Sequence, residues 1–292
     1  MKIKKLISAL VLGSMLVGLS GCNITDFSAE NLLRPPKAVG DEAEIEQLIA
    51  KTADSGYTLK YPKNGKFRSA IIMTDLDGND SNEAVAFFRN SAETSSVHML
   101  VMYSKDNSWE IVSDNIFETT DIDSVDFADL TGNGKAEIIV NSTTYTPNVG
   151  KLSCYSYSEG KTNEVGSGQS CSSFVTGDFD NDGTSEIMSL VLYTTENEAL
   201  ASMLDYNEDS KSLYAKAMAN MDPNVVKYKN IAVTKLDNDI TGIVVDGTSA
   251  NEVTNTQVIF YSRDLAILRN PLFKEKAKKY NPAFITDHLF GH

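Results

Sequence analysis

Histidine is scarce in this chain: only His98, His288 and His292 occur among its 292 residues. Many hydrolases and metal centres use imidazole as a general base or as a ligand, so this chain has few residues from which to build a site of that kind. The chain also lacks a glycine-rich phosphate loop between a strand and a helix. These absences argue against several enzyme classes, and we predict that the protein is not an enzyme.

Basic residues are outnumbered as well, with 26 Lys and Arg against 40 Asp and Glu, and the formal net charge is −14. Such a surface repels the phosphate backbone of nucleic acids and anionic lipid headgroups. The composition therefore predicts no nucleic acid partner. It suits divalent cations, basic partners or neutral ligands.

No hydrophobic run reaches the roughly 20 residues that a membrane-spanning helix needs. The longest run, residues 6–19, follows a basic start and precedes Ser20-Gly21-Cys22. A basic segment, an apolar segment and small residues at a cleavage point are typical of a secretory signal peptide, here residues 1–21. A retained membrane anchor is the alternative.

The sequence Leu19-Ser20-Gly21-Cys22 also resembles a bacterial lipobox. The resemblance implies cleavage before Cys22 and attachment of lipid to its sulfur, so that acyl chains hold the protein at a membrane. We therefore expect a bacterial lipoprotein on the extracellular face of the cytoplasmic membrane, with the membrane as a partner through the lipid anchor. An ordinary signal peptide with an incidental cysteine is the alternative.

The chain contains only two further cysteines, Cys154 and Cys171. Their spacing does not fit a zinc site, and no redox motif surrounds them. If Cys22 carries lipid, they are the only pair available for an intramolecular disulfide, which an oxidising location would permit. A disulfide and two buried thiols are both compatible with the sequence.

A short acidic motif occurs three times, at residues 75–83, 129–137 and 178–186. The motifs begin 54 and 49 residues apart. Self-similarity at a period of about 50 residues is typical of propellers and other repeat arrays. We predict that each motif is a cation-binding loop that joins two strands.

The pattern within each motif matches the ligand preference of calcium, which takes about six to eight oxygens from a flexible loop. We expect side-chain ligands at positions 1, 3, 5 and 9, a sharp turn at position 6 and a backbone carbonyl at position 7. The predicted ligands of the third loop are Asp178, Asp180, Asp182, Thr184 through its carbonyl, and Glu186. Those of the first loop are Asp75, Asp77, Asn79, Ser81 and Glu83. Those of the second loop are Asp129, Thr131, Asn133, Lys135 and Glu137.

The three loops differ in how well they fit this pattern. The third loop is complete and has Gly183 at the turn, so we expect it to be the best site. The first loop has Asp80 where glycine is expected, although aspartate tolerates a left-handed conformation better than most residues. The second loop offers two carboxylates, which predicts weaker affinity. Acidic turns that bind nothing tightly are the alternative, and a fourth hairpin that begins at Lys235 has lost the motif.

Short β-rich runs, bounded by Gly, Asn, Asp and Ser, fill the chain after residue 57. They form four similar units, and four strands make one blade of a β-propeller. Near-continuous apolar runs, such as residues 84–88 and 187–192, suit central strands that neighbouring blades cover on both faces. We predict an all-β fold, a β-propeller of about four four-stranded blades with a short N-terminal helix. A β-sandwich and an incomplete member of a larger ring are the alternatives.

The predicted organisation follows from these segments. Ile45, Leu48 and Ile49 recur at helical spacing and indicate a short amphipathic helix that covers the sheets. The segments are the signal peptide 1–21, a flexible tether 22–41, the helix 42–56, blades over 57–118, 119–168, 169–225 and 226–269, and residues 270–292 as a tail or the start of a further blade.

The acidic loops and their strand-loop-strand setting resemble the FG-GAP or VCBS-type repeat of integrin α-subunit heads and many secreted bacterial proteins. The resemblance covers residues 57–269 and implies calcium held structurally in the blade hairpins, without implying a ligand. With the lipobox and the tether sequence Arg34-Pro-Pro-Lys37, the chain looks like surface lipoproteins of Gram-positive gut bacteria. An EF-hand is the rival interpretation of the third loop, but its position 12 requires Glu where Ser189 stands.

These features favour a binding or scaffolding module for a protein or glycan. A hydrolase or lyase that acts on glycans is one alternative, and a purely structural envelope component is another. Four aromatic residues could either line a ligand site or pack between blades: Trp109, Tyr145, Tyr155 and Tyr157.

Overall fold

The computed structural model describes residues 40–269 except residues 55, 159, 194–197 and 238–239. The predicted signal peptide, the lipidation site Cys22, most of the tether and the tail lie outside these residues. Within the described part, helix α1 (Asp41–Ala53) precedes seventeen strands. No helix in that part is long and apolar enough to cross a bilayer. The prediction of an all-β fold with a short N-terminal helix is confirmed.

The first sheet contains five strands, two of which share one edge. They are β1 (Tyr57–Leu59), β2 (Ile71–Thr74), β3 (Glu83–Asn90), β4 (Val97–Lys105) and β5 (Ser108–Phe117). Strand β1 pairs with the end of β3, and β2 pairs with its beginning. The two short strands therefore occupy the position that a single strand fills in the other sheets.

Each of the other three sheets is an antiparallel meander of four strands in chain order. The second sheet contains β6 (Ile122–Ala128), β7 (Glu137–Thr143), β8 (Gly150–Ser158) and β9 (Lys161–Cys171). The third contains β10 (Ser173–Gly177), β11 (Glu186–Tyr193), β12 (Glu198–Asn207) and β13 (Ser212–Asn220). The fourth contains β14 (Val225–Asp237), β15 (Ile240–Ser249), β16 (Thr254–Tyr261) and β17 (Leu265–Arg269). The four sheets correspond to the four predicted units.

The central strands of the first three sheets are apolar on both faces because each of these sheets is covered on both sides. Along β3, Val85 and Phe87 join the core shared with the second sheet. Ala86 and Phe88 point to the other face and pack with Ile45 and Ile49 of α1. Side chains alternate between faces along a strand, so two buried faces produce the continuous apolar runs seen in the sequence.

Three apolar cores join the sheets in chain order. The core between the first and second sheets includes Met99 and Val140. The next core includes Leu152 of the second sheet and Leu204 of the third. The last joins the third and fourth sheets through residues such as Met188, Met203, Ile243 and Ile259. Each sheet therefore packs on its successor.

Helix α1 covers the face of the first sheet that no other sheet covers. Ile45 and Ile49 are fully buried in a core with Phe88 and Leu100. The carboxylate of Glu44 accepts the backbone N–H of Trp109 at 2.9 Å, which ties the helix to strand β5. The amphipathic pattern is thus explained by packing on the sheet.

Cys154 and Cys171 are free thiols, both buried in the core between the second and third sheets. They lie on the paired strands β8 and β9, but Cys154 is opposite Gly166 and Cys171 is opposite Gly150. This offset of four residues corresponds to about 13 Å along the strands, whereas a disulfide needs Cα atoms roughly 4.4 to 6.8 Å apart. Of the two interpretations, the structure therefore contains the buried thiols and not the disulfide.

Strands β6, β10 and β14 and the segment that follows β1 meet around two adjoining cavities of about 460 and 530 Å³. Strands β6, β10 and β14 and residues 64–66, which follow β1, all line the second cavity. Residues 63 and 64 also donate backbone hydrogen bonds to Ile122 and Asp123 at the start of β6. The first strands of the second, third and fourth sheets and the segment after β1 thus border the same space.

Candidate metal sites

The three acidic motifs occupy equivalent positions in the fold. They form the connections β2–β3, β6–β7 and β10–β11, one in each of the first three sheets. Each connection joins two strands that are hydrogen-bonded neighbours. In each, the aspartate at position 1 follows the first strand, and the glutamate at position 9 begins the second. Because the two strands are antiparallel neighbours, both ends of the motif lie side by side. The prediction that the motifs join strands is confirmed, and no helices flank the third loop as an EF-hand would require.

Position 9 anchors each loop from inside. Glu83, Glu137 and Glu186 are all buried, and Glu186 is 0% exposed. One carboxylate oxygen of each accepts the backbone N–H of position 2, at 2.8, 2.8 and 2.7 Å respectively. The position 2 side chains are themselves in the core: Leu76, Leu130 and Phe179. Each loop is therefore held in place by two groups: the buried apolar side chain at position 2 and the buried carboxylate at position 9.

The backbone turns where the sequence predicts. Position 6 has positive φ in all three loops: 64° at Asp80, 78° at Gly134 and 95° at Gly183. Position 1 accepts backbone N–H groups across this turn, as Asp75 does from Asp80 at 2.9 Å. Asp80 thus adopts the left-handed conformation that glycine adopts in the other loops.

Carboxylates converge in the third and first loops. In the third loop, one oxygen from each of the four acids at positions 1, 3, 5 and 9 lies within 4.8 Å of the others. In the first loop, Asp75, Asp77 and Glu83 meet the same criterion. The structure therefore brings together the carboxylates that the sequence nominates in these two loops.

Several oxygens in these clusters are buried without a partner. They are Oε1 of Glu186, Oδ1 of Asp178 and, in the first loop, Oδ1 of Asp77. Buried acceptors are normally satisfied, because an unpaired one loses its hydration without compensation. One hard cation in each of the two loops would give these oxygens a partner, so the residues present fit calcium or a similar ion.

The second loop is different because its carboxylates are already engaged. The hydroxyl of Thr131 donates to Oε1 of Glu137 at 3.3 Å, while Oε2 accepts from the backbone. Neither Asp129 nor Glu137 has a buried oxygen without a partner. The prediction of weaker cation binding at this loop stays a prediction, and these hydrogen bonds to Glu137 favour it.

The fourth hairpin carries no acidic cluster among its described residues. Strands β14 and β15 pair as far as Asp237 and Ile240. The ammonium of Lys235, at the former position 1, donates to the hydroxyl of Thr241 at 2.8 Å.

Lys216 is a member of the third site that the sequence did not reveal. Its ammonium contacts the carboxylate of Asp180 and lies 2.8 Å from that of Asp205. Burial disfavours the charged ammonium, but the hydrogen bonds that it donates to both carboxylates outweigh this effect and raise the pKa of Lys216. Lys216 is on β13, two strands away from the loop, so no local motif could have indicated it. A built-in positive charge therefore already neutralises part of the best predicted site.

Burial also raises the pKa values of the three glutamates at position 9. Desolvation raises the pKa of Glu186 to about 8 and that of Glu137 to about 7, against the hydrogen bonds from the backbone that favour ionisation. The pKa of Glu83 is raised for the same reason. Near neutral pH, Glu186 therefore retains a proton unless a cation replaces it.

The chelated protein is expected to lose stability as the pH rises from 4.5 towards 8. Over this range the folded chain holds protons on Glu186 and Glu137 that the unfolded chain has released, so stability falls with rising pH. Melting temperatures in EDTA across this range measure the trend, and Glu186→Gln should make it shallower, because glutamine does not titrate while Glu137 still does. A rising melting temperature in EDTA would contradict the assignment.

Three of the four aromatic candidates belong to the core. Trp109, Tyr155 and Tyr157 are buried, whereas Tyr145 is 94% exposed. Packing therefore accounts for the first three, and only Tyr145 is free to meet a ligand.

Comparison with known proteins gives no family. No protein family and no curated protein sequence match the chain. A solved structure described as a hypothetical protein from Leishmania major has 10% sequence identity, with 77% of this chain and 76% of that chain covered and a TM-score of 0.33. A TM-score this low does not establish a common fold. The site itself defines a β-sheet protein with two clusters of acidic residues suited to a hard cation.

Proposed function

We propose that the protein is a lipid-anchored extracellular β-propeller, stabilised by Ca²⁺ in its acidic loops, that acts as a binding or scaffolding module for a protein or glycan. The lipid anchor and the location rest on the signal peptide and lipobox of the sequence. The stabilising role of the ion rests on the way in which the loops connect the sheets.

The hydrogen bonds between successive loops carry this proposal. The N–H of Ala136 in the second loop donates to the carbonyl of Leu76 in the first, at 3.0 Å. The N–H of Ser185 in the third loop donates to the carbonyl of Asp129 in the second, at 2.9 Å. A cation that orders one loop therefore also orders the contact between two sheets, which is a structural role.

The propeller proposal is supported by two features of the sheets. Each sheet packs on its successor, and strands β6, β10 and β14 border one cavity together with the segment that follows β1. Radial repetition of four-stranded blades around a central channel has this arrangement.

Calcium is proposed rather than a softer metal because every candidate ligand is an oxygen. Such a donor set suits hard cations, and the flexible loop geometry suits Ca²⁺ better than the strict octahedron of Mg²⁺. An ion in these loops contacts groups that hold sheets together, so we assign it no part in a reaction.

Calorimetric titration of the full-length protein with Ca²⁺ tests the proposal. We expect binding at the first and third loops, with weaker binding at the second, and we expect Asp178→Asn to remove one site. At a hundredfold excess over Kd, one site adds about 2.7 kcal/mol of stability, which raises the melting temperature by about 5 to 10 °C in a chain of this size.

The control is Asp209→Asn, which makes the same charge change at an exposed residue outside the loops. Equal loss of Ca²⁺ binding in both variants would show that the loss comes from the change in overall charge and not from a missing ligand. Absence of any Ca²⁺ binding would refute the role of the ion, and a parallel titration with Mg²⁺ tests its identity.

A hydrolase or lyase that acts on glycans remains the alternative function. Glycosidases need two carboxyl groups on either side of the scissile bond. Of the cavity carboxylates, Asp126 is already held by Lys66 at 2.6 Å and by the hydroxyl of Thr176 at 2.9 Å. We therefore favour the binding module.

A further inference from the structure

The fourth sheet has two apolar faces, and the cores between successive sheets account for only one of them. Ile243, Val245 and Ile259 point towards the third sheet and belong to the last of those cores. Val244 and Val258 are opposite each other in the register of β15 and β16, and they point to the other face because side chains alternate along a strand. Both are 0% exposed. A face open to solvent would leave such side chains partly accessible, so this face is covered too.

The fourth hairpin supports the same conclusion. Position 2 of each acidic loop lies in the core between its own sheet and the next. These residues are Leu76, Leu130 and Phe179. The equivalent residue of the fourth hairpin, Leu236, is also 0% exposed. Its Cδ1 would lie 2.9 Å from a Cβ atom built on Gly242, which is on the same face as Val244. Leu236 thus occupies the side on which a next sheet would pack.

The first sheet does not provide this cover. Its remaining face already packs against Ile45 and Ile49 of α1. None of the four apolar cores formed by the described residues includes Val244 or Val258. The cover therefore comes from outside these cores.

The segment 270–292 is the nearest part of the chain to this face. It follows Arg269 at the end of β17, which is an edge strand of the same sheet. Val258 lies on the neighbouring strand and Val244 one strand further on, at about 5 and 10 Å from β17. Since an extended residue spans about 3.5 Å, a few residues suffice to bring the chain over both.

The sequence of this segment has the pattern of an amphipathic helix. Phe273, Ala277 and Tyr280 recur at helical spacing. Asn270-Pro271 is a typical helix start, with a capping side chain followed by proline in the first turn. Asn281-Pro282 is typical of a helix end. The pattern therefore predicts a helix of about three turns with one apolar side.

The charge of the segment suits the surface beside it. It contains four lysines against Glu275 and Asp287, whereas the whole chain has a net charge of −14. Lys274, Lys278 and Lys279 fall on the side of the helical pattern away from Phe273. An acidic protein attracts such a segment.

We propose that residues 270–292 cover the outer face of the fourth sheet, with the apolar side of the helical pattern against Val244 and Val258. The segment then does for the fourth sheet what α1 does for the first, so both ends of the series of sheets are closed within one chain. Repeat arrays need such caps, because a terminal unit otherwise exposes an apolar face. The proposal goes beyond the binding function and depends on neither calcium nor a ligand.

Melting temperatures of full-length variants test this cap. Phe273→Ala is expected to lower the melting temperature by about 6 °C or more, because a core loses a phenyl ring. Lys278→Ala changes the opposite side of the helical pattern and should melt like the parent. Equal melting temperatures for the parent and Phe273→Ala would overturn the proposal.

A double-mutant cycle identifies the face that the segment contacts. Phe273→Ala and Val258→Ala together should lower the melting temperature by less than the sum of their separate shifts, because neighbouring residues are not additive. The control is Val140→Ala, which makes the same change at an equally buried residue between the first and second sheets. Its shift should add to that of Phe273→Ala. Additivity in both pairs would overturn the assignment to the fourth sheet.

Trypsin digestion gives a readout that does not depend on substitutions in the sheet. Cleavage within residues 274–279 requires the segment to leave the sheet, so we expect it to be about tenfold faster or more in Phe273→Ala than in the parent. Equal cleavage rates would overturn the proposal.

Sedimentation distinguishes this cap from a second copy of the chain. A monomer that retains the coupling between Phe273 and Val258 supports the proposal. A dimer that loses the coupling when it is diluted to monomer would mean that a second copy covers the face, and would overturn it.

Discussion

Replacement of Phe179 by alanine is expected to lower the free energy of unfolding by about 3 to 5 kcal/mol, the usual cost of removing a buried phenyl ring. Phe179 is position 2 of the third loop and is 1% exposed in the core between the third and fourth sheets. Its loss leaves a cavity at the point where the loop is pinned to that core. Urea unfolding of the full-length protein in Ca²⁺ measures the change.

Met218→Ala is a suitable control for Phe179→Ala. Met218 is 55% exposed on β13, and a surface substitution of that kind usually changes stability by less than about 0.5 kcal/mol. The backbone N–H of residue 179 still reaches Glu186 in the alanine variant, so the loop keeps its carboxylate anchor. A loss below about 1 kcal/mol would show that the side chain at position 2 does not pin the loop.

Lys216→Met is expected to destabilise the protein strongly in EDTA and much less in saturating Ca²⁺. The substitution leaves Asp180 and Asp205, both largely buried, without the ammonium between them. Removal of one partner from a buried ion pair costs up to about 3 to 5 kcal/mol. An ion in the third loop supplies positive charge beside Asp180, so Ca²⁺ should restore much of the loss and should bind more tightly to the variant.

Paired melting curves in EDTA and in Ca²⁺, with calorimetric titration of both proteins, measure these effects. Lys161→Met makes the same change at an exposed residue and serves as the control. Equal destabilisation with and without Ca²⁺ would mean that Lys216 supports only the packing of β13. Weaker Ca²⁺ binding in the variant would mean that Lys216 orients Asp180 for the ion instead of competing with it.

Sheet and loop positions were largely predictable because their signals are local. The apolar run at residues 84–88 and the acidic turn at residues 178–186 each fall within a few neighbouring residues. Strand β1 was not predicted, since Tyr57–Leu59 is only three residues long and pairs with β3 across an intervening strand and loop. Its sequence has no alternation long enough to identify it.

The candidate sites divide in the same way. The clusters in the third and first loops could be predicted, because nine consecutive residues contain all their carboxylates. The role of Lys216 could not, because it reaches Asp180 from 36 residues further along the chain. The exposed Tyr145 and the buried Tyr155 are only ten residues apart and look alike in sequence; only the packing of the sheets distinguishes them.

By itself, the sequence determined the longer strands and the three turns, including the left-handed position that Asp80 shares with Gly134 and Gly183, because these depend on residues close together in the chain. Only the tertiary structure decided that Cys154 and Cys171 stay unpaired, that Lys216 neutralises part of the third loop, and that Asn64, Asn141 and Ser173 share one cavity. Those outcomes depend on strand register and on the stacking of sheets, which bring together side chains from distant parts of the chain.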